Sequence, residues 1–235
     1  MRWSRNTTAL AMALALQSIA QQPPPQPVPQ APAARFVIVI DAAHGGDDTG
    51  AHLSSGQLEK AANLTLSVRL RSLLTARGFQ VLTTRENDSF IELNRRAELA
   101  NHANASACIS LHATESGSGV HLFASSLAPA NQTRFMPWKT AQAAWETRSL
   151  ALAGAVNSAL THSGLTVTLG RIPLPGIESM TCPAIAVELG PQRDADRKIT
   201  AEPDSPDYQA QVASALAAAV LEWRSDPNRL GGRQP

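Results

Sequence analysis

The chain has 235 residues, 43% of them hydrophobic, enough to bury one sizeable core and to make a single domain the expectation. Its formal net charge is +1, and since the first twenty residues carry Arg2 and Arg5 but no acid, the remainder stands at −1. With no basic excess there is no sign of a nucleic-acid partner, and at 4% the aromatic residues are too few to advertise a base-stacking or sugar-stacking surface.

Residues 1–20 have the grammar of a secretory signal: Arg2 and Arg5, an Ala/Leu-rich run from Thr7 to Leu16, and the small-x-small site Ser18-Ile19-Ala20. The run falls short of the roughly 20 residues that span a bilayer, so no membrane span is expected in the mature chain, and a secreted or periplasmic location is expected. The plain alternative is an uncleaved N-terminal anchor. Residues 21–35, rich in Pro, Gln and Ala, suit an extended tether. The folded domain is expected over 36–225, with 226–235 a flexible tail.

Phe36-Val37-Ile38-Val39-Ile40 reads as a fully buried strand that runs into Asp41, His44, Gly45 and Gly46 in a tight loop. A helix is predicted from about Gln57 to Arg77, with Ala62, Leu66, Leu70, Leu73 and Leu74 on one apolar stripe and Gly78 as its stop. Glu59 lies in its first turn, where the helix dipole alone would favour an acid. Phe79 to Thr84 is a second strand, parallel to the first because a helix joins them. A helix over Ile91 to Asn104, with Leu93, Ala97 and Ala100 inward, precedes Ala107-Cys108-Ile109-Ser110-Leu111, which runs into His112. Gly119 to Phe123 is another expected strand. The segment from Ala124 to Thr147 is irregular and long enough to cover a site, and Glu146 within it could cap a metal. Helices over Arg148 to Ser163 and Pro206 to Arg224 bracket the strand Ala184-Ile185-Ala186-Val187, which runs into Glu188. The alternation predicts an α/β fold, a single open, mostly parallel twisted sheet flanked by helices on both faces.

Three apolar runs thus end on His44, His112 and Glu188, and ligands collect at the C-terminal ends of strands in such sheets. Two histidines and a carboxylate suit catalytic zinc with a fourth position for water, and a second carboxylate can move the water's proton. His44, Glu59 and His112 fill the ligand roles and Glu188 the base role. Cys108 and Cys182 precede His112 and Glu188; neighbouring strands would bring them into disulfide range, and two buried thiols are the equal alternative. Arg85 and Arg96 are expected to tie loops to carboxylates or carbonyls, Asp41 to fix the loop, Glu115 to line the cleft, and His52, His102, His121 and His162 to serve surface or packing roles.

Val39-Ile40-Asp41-Ala42-Ala43-His44-Gly45-Gly46, then Gly56-Gln57-Leu58-Glu59-Lys60, Thr84-Arg85-Glu86-Asn87-Asp88, Ser110-Leu111-His112-Ala113 and Pro183 to Gly190 together resemble the zinc-dependent N-acetylmuramoyl-L-alanine amidases of the amidase_3 type. The resemblance runs from about Phe36 to Trp223. It implies Zn2+ bound by the residues matching His44, Glu59 and His112, and a catalytic glutamate matching Glu188. It also implies peptidoglycan as substrate, cut between N-acetylmuramic acid and L-alanine. The pattern departs at Ala42-Ala43, where the family usually has Pro-Gly, at Thr114, where it has Asn, and at Pro191-Gln192-Arg193-Asp194. These positions touch loop shape and substrate contacts. A zinc peptidase cutting within the stem peptide and a wall-binding or regulatory module without activity are the competing readings, and the sequence identifies no regulatory protein partner.

Overall fold

The computed structural model describes residues 36–131, 133 and 135–225. The expected signal segment, tether and tail lie outside the described residues. Among these residues no helix is long and apolar enough to cross a membrane.

The strand predicted first is β1 (Val37–Ala42), buried at every position as its continuous apolar run requires. Helix α1 (Glu59–Ala76) follows and returns the chain to β2 (Gln80–Thr83), parallel to β1. Helix α2 (Leu93–His102) leads to β3 (Ala107–Ala113), parallel to β1 on its other side. Then come β4 (Val120–Ser125), a 3-10 turn over Trp138–Ala144, α3 (Glu146–His162) and β5 (Val167–Ile172). After β6 (Ala184–Leu189) come the short ribbon β7 (Gln192–Arg193) with β8 (Ile199–Ala201), and α4 (Pro206–Ser225).

The sheet has six strands in the order β2-β1-β3-β6-β4-β5. The first four are mutually parallel, and β6 inserts between β3 and β4. The pair β4 and β5 is internally parallel and runs antiparallel to β6. The predicted mostly parallel sheet is therefore present, and the three strands expected to converge, β1, β3 and β6, are consecutive neighbours.

Alternating strand residues feed two cores. Ile38, Ile40, Ile109, Leu111, Ile185 and Val187 face α1, α3 and α4 in the larger one, with Tyr208, Val212, Leu216, Val220 and Trp223 buried as the helical spacing predicts. Val39, Cys108, Ala184 and Ala186 face Ala97 and Ala100 of α2 together with Ile177 and Met180 in the smaller one. Leu93 corrects the expected inward stripe of α2: it is 50% exposed, because as the helix's first residue it overhangs a cleft instead of the smaller core. Cys108 and Cys182 form a disulfide, with Cys182 lying two residues before β6 begins.

Candidate metal centre and active site

The end of β1 is held by buried charge. Asp41 is buried and accepts from Arg96 Nη1 at 2.7 Å, Thr84 Oγ1 at 2.8 Å and Ser110 Oγ at 2.7 Å. Burial alone would push its carboxyl up; the Arg96 charge and these three hydrogen bonds outweigh that and hold it below the usual carboxylate range. Arg96 also donates to the carbonyls of Ala42 and His44, each at 2.8 Å, and Arg85 donates to those of Ala42 at 2.8 Å and Ala43 at 3.0 Å. Both arginines therefore do what the sequence suggested, gripping a loop by its carbonyls. The loop needs that grip, because His44, Gly45 and Gly46 all have positive φ, at 63°, 131° and 60°. A side chain at Gly45 would collide with the carbonyl of Ser89.

This turn aims His44 at Glu59, the first residue of α1. Oε1 of Glu59 lies 3.2 Å from His44 Nε2 and 3.0 Å from His112 Nδ1. The same carboxylate accepts from the backbone N–H of Ala51 at 2.8 Å and of Ala113 at 3.2 Å, and from Asn63 Nδ2 at 3.3 Å. Burial favours the neutral acid here too, but the hydrogen bonds from His112, His44 and Ala51 reverse it and hold the carboxyl far below its ordinary range. The hydrogen bond to Glu59 in turn raises the His44 imidazole, against the effect of burial and with help from Asp48, whose Oδ1 lies 2.8 Å from His44 Nδ1. His112 reaches 3.4 Å from Ser110 Oγ through its other ring nitrogen, which ties it to Asp41.

Ligand atoms of His44, Glu59 and His112 all lie within 4.8 Å of one another, the one such group among the described residues that could hold a metal ion. Two imidazoles crowd a single buried carboxylate oxygen, an arrangement that a cation between them would satisfy. Gly50 bounds the same space: a Cβ there would stand 2.6 Å from Glu59 Oε2 and 2.7 Å from His44 Cδ2, so any side chain would fill the cradle. The donor set fits a divalent ion.

Glu188 sits on β6 with its Cα paired to His112 of β3. It continues the face of Ala184 and Ala186, whereas Ile185, Val187 and Leu189 belong to the larger core, so half-buried Glu188 shares a sheet face with His112, their backbones one strand spacing of about 4.8 Å apart. Three of the sequence-nominated residues, His44, Glu59 and His112, thus meet at one edge of the sheet, with Glu188 in register on the strand next to His112. A cleft of about 450 Å³ opens beside them, with Asp41, His44, Ser110 and His112 at its base and Phe90, Leu93, Leu174 and Ile177 on its walls. Glu146 does not join them: it is buried at the start of α3 in an ion pair with Arg171 Nη2 at 3.1 Å, and lies outside the metal-capable group. Arg171 is fixed there by the carbonyls of Ser125 and Leu127, so the expected cap on the metal is instead an anchor for the segment that follows β4.

Sequence reasoning passed over Asp48, Asn63, Gly50 and Ser110. Asp48 had a signal, four residues after His44 and two before Gly50; Asn63 and Ser110 become informative only once α1 and β3 are packed together.

The Amidase_3 family model, described as N-acetylmuramoyl-L-alanine amidase, matches residues 38–222. The chain is 40% identical over 77 residues to N-acetylmuramoyl-L-alanine amidase AmiA of Escherichia coli (strain K12), covering 33% of this chain and 27% of that one. It is 32% identical over 124 residues to AmiC of Neisseria meningitidis serogroup B, covering 50% of this chain and 30% of that one. The chain therefore spans less than a third of the length of these two relatives. Among solved structures, the catalytic domain of CwlV, an N-acetylmuramoyl-L-alanine amidase from Bacillus (Paenibacillus) polymyxa var. colistinus, superposes with a TM-score of 0.63 at 26% identity over 80% of this chain and 98% of that one.

Proposed function

The chain belongs to the Amidase_3 family, and from that premise we propose that it hydrolyses the amide between N-acetylmuramic acid and L-alanine in peptidoglycan, with Zn2+ held by His44, Glu59 and His112 and Glu188 as the general base. The observation that carries this reading is the convergence of two imidazoles and a buried carboxylate within 4.8 Å, with Glu188 in register beside His112. A divalent ion in this group supplies Lewis acidity and a water of lowered pKa. The chain's own residues do the rest. Glu59, His44 and His112 hold the ion; Asp48 and Ser110 orient the two rings. Glu188 takes a proton from the attacking water and returns it to the departing amine of L-alanine. The cleft beside them seats the substrate. The disulfide between Cys108 and Cys182 supports an exported protein, since such bonds persist in oxidising compartments.

Metal analysis of the purified protein, combined with mass analysis of fragments released from sacculi, tests the reading. Stoichiometric zinc, loss of activity with a chelator, and released stem peptides that begin with L-alanine are expected. Cleavage inside the stem peptide would make it a peptidase instead. Glu188→Ala should keep zinc and lose roughly 10²–10⁴ in rate, while His112→Ala should lose both metal and activity.

A further inference from the structure

His112, Glu188 and His121 stand in one row across three neighbouring strands, because Glu188 pairs with His112 of β3 on one side and with His121 of β4 on the other. Register partners share a face, so His121 lies on the cleft side, beyond Glu188 from the metal group. Two strand spacings place it roughly 10 Å from His112. That is too far to touch the scissile amide, and about three residues along an extended peptide at ~3.3 Å each.

The ring is fixed for contact. Its Nδ1 is hydrogen-bonded to Thr168 Oγ1 of β5, and it stacks on Phe123 with centroids 6.4 Å apart. In the tautomer whose Nδ1 accepts from the Thr168 hydroxyl, Nε2 carries the proton. That edge looks onto backbone free of side chains: a Cβ at Gly117 would stand 2.5 Å from Nε2, and one at Gly190 3.2 Å. From the other side Arg193 donates Nε to the Gly117 carbonyl at 3.2 Å and Nη1 to that of Arg197 at 3.0 Å. Asp194 is turned away into its own tight turn, accepting from the Lys198 N–H at 2.9 Å. An imidazole donor and an exposed guanidinium thus bracket Gly117 at the end of the row.

We propose that His121 and Arg193 form an anion-recognising end of the substrate groove, which takes a carboxylate on the peptide side of the substrate about three residues from the scissile bond. This rests on the amidase reading above. The peptide side follows from the chemistry of that substrate: the lactyl carboxyl of the muramic acid is consumed in the amide, and the N-acetylated glycan carries no other, so a free carboxylate lies on the peptide.

The test uses two synthetic muramoyl peptides that differ only in whether a carboxyl within three residues of the scissile amide is free or amidated. The whole protein should favour the free acid by about 3–10-fold, in KM rather than kcat, as expected for a part-exposed charge pair. His121→Gln and Arg193→Gln should each shrink that ratio and together bring it to about one, with zinc content and Tm held. Glu115→Gln, which removes an acid two residues before Gly117, should enlarge it. Equal hydrolysis of both substrates by the unaltered protein, or a ratio that survives the double substitution, overturns the proposal while leaving the amidase reading intact. Failure to cut either substrate at the lactyl–alanine bond overturns both.

Discussion

The two ends of the sheet edge that carries the candidate site are built differently. At the β1–β3 end, side chains are locked by buried charge: Arg96 and Asp41 are both buried, and Arg96 and Arg85 together grip the carbonyls of Ala42, Ala43 and His44. At the β6–β4 end, Glu188 and His121 are half-exposed and stand on strands of opposite direction, and the arginines that grip backbone there, Arg171 and Arg193, are themselves part-exposed or exposed. The contrast follows the two tasks proposed for these ends. Metal ligands must be held to within fractions of an ångström of a fixed geometry, so a strained left-handed histidine is kept in place by over-determined contacts. A base that gives and takes a proton needs solvent contact and room for substrate.

The largest effect should come from breaking the locked end. Arg96→Met leaves Asp41 buried without its partner and frees the His44 carbonyl, and should cost about 3–5 kcal/mol in urea unfolding. Metal affinity should fall with it, because the turn at His44 loses its clamp. A pH series sharpens the point. The Asp41 carboxyl is lower in the folded chain than in the unfolded one, so its contribution is complete above the ordinary carboxylate range and is lost as pH falls below about 4. Asp41→Asn should therefore flatten the acid limb of the stability curve. Asp48 and Glu59 are shifted the same way, so some slope should survive. An unchanged acid limb would show that Asp41 is not the group that couples proton uptake to unfolding.

The locked end was also the legible one. His44 and His112 terminate apolar runs that announce buried strands, and Glu59 opens a helix with a clear stripe, so their convergence needed only that β1 and β3 be neighbours. The other end was not legible. Six residues join β3 to β4, yet β6, some sixty residues later, slots between them and reverses the local direction. Nothing in the periodicity of Val120 to Ser125 encodes that insertion, so the pairing of His121 with Glu188 could not be read. Strand β5 escaped for a related reason: it is an edge strand with Leu169 at 56% and Ile172 at 38% exposure and Gly170 between them, and without a buried face it shows no alternation. Glu146 misled because acid composition was visible and its partner Arg171, on that unseen strand, was not.

The disulfide joins the two ends at their roots. Cys108 lies four residues before His112 and Cys182 six before Glu188, closing a sequence separation of 74. Replacing both with serine, or reducing the bond, should cost about 2–4 kcal/mol. If the bond also sets the spacing between ligand and base, reduction should lower kcat at temperatures where the protein stays folded, with zinc retained. A loss of stability with kcat intact would confine its role to the fold.

The smallest expected effect separates orientation from stability at the locked end. The Asp48 side chain is 45% exposed and makes its shortest contact with His44 Nδ1, so Asp48→Ala should barely change unfolding. It should still weaken zinc binding by about 10–100-fold, the usual loss when a carboxylate behind a ligating histidine is removed, because the ring loses the partner that keeps Nε2 facing Glu59. Competition titration with a chelating dye reads this directly. Should affinity hold, the backbone grip of Arg96 on His44 alone would fix the imidazole, and the locked end would owe its geometry to buried charge without help from the exposed carboxylate.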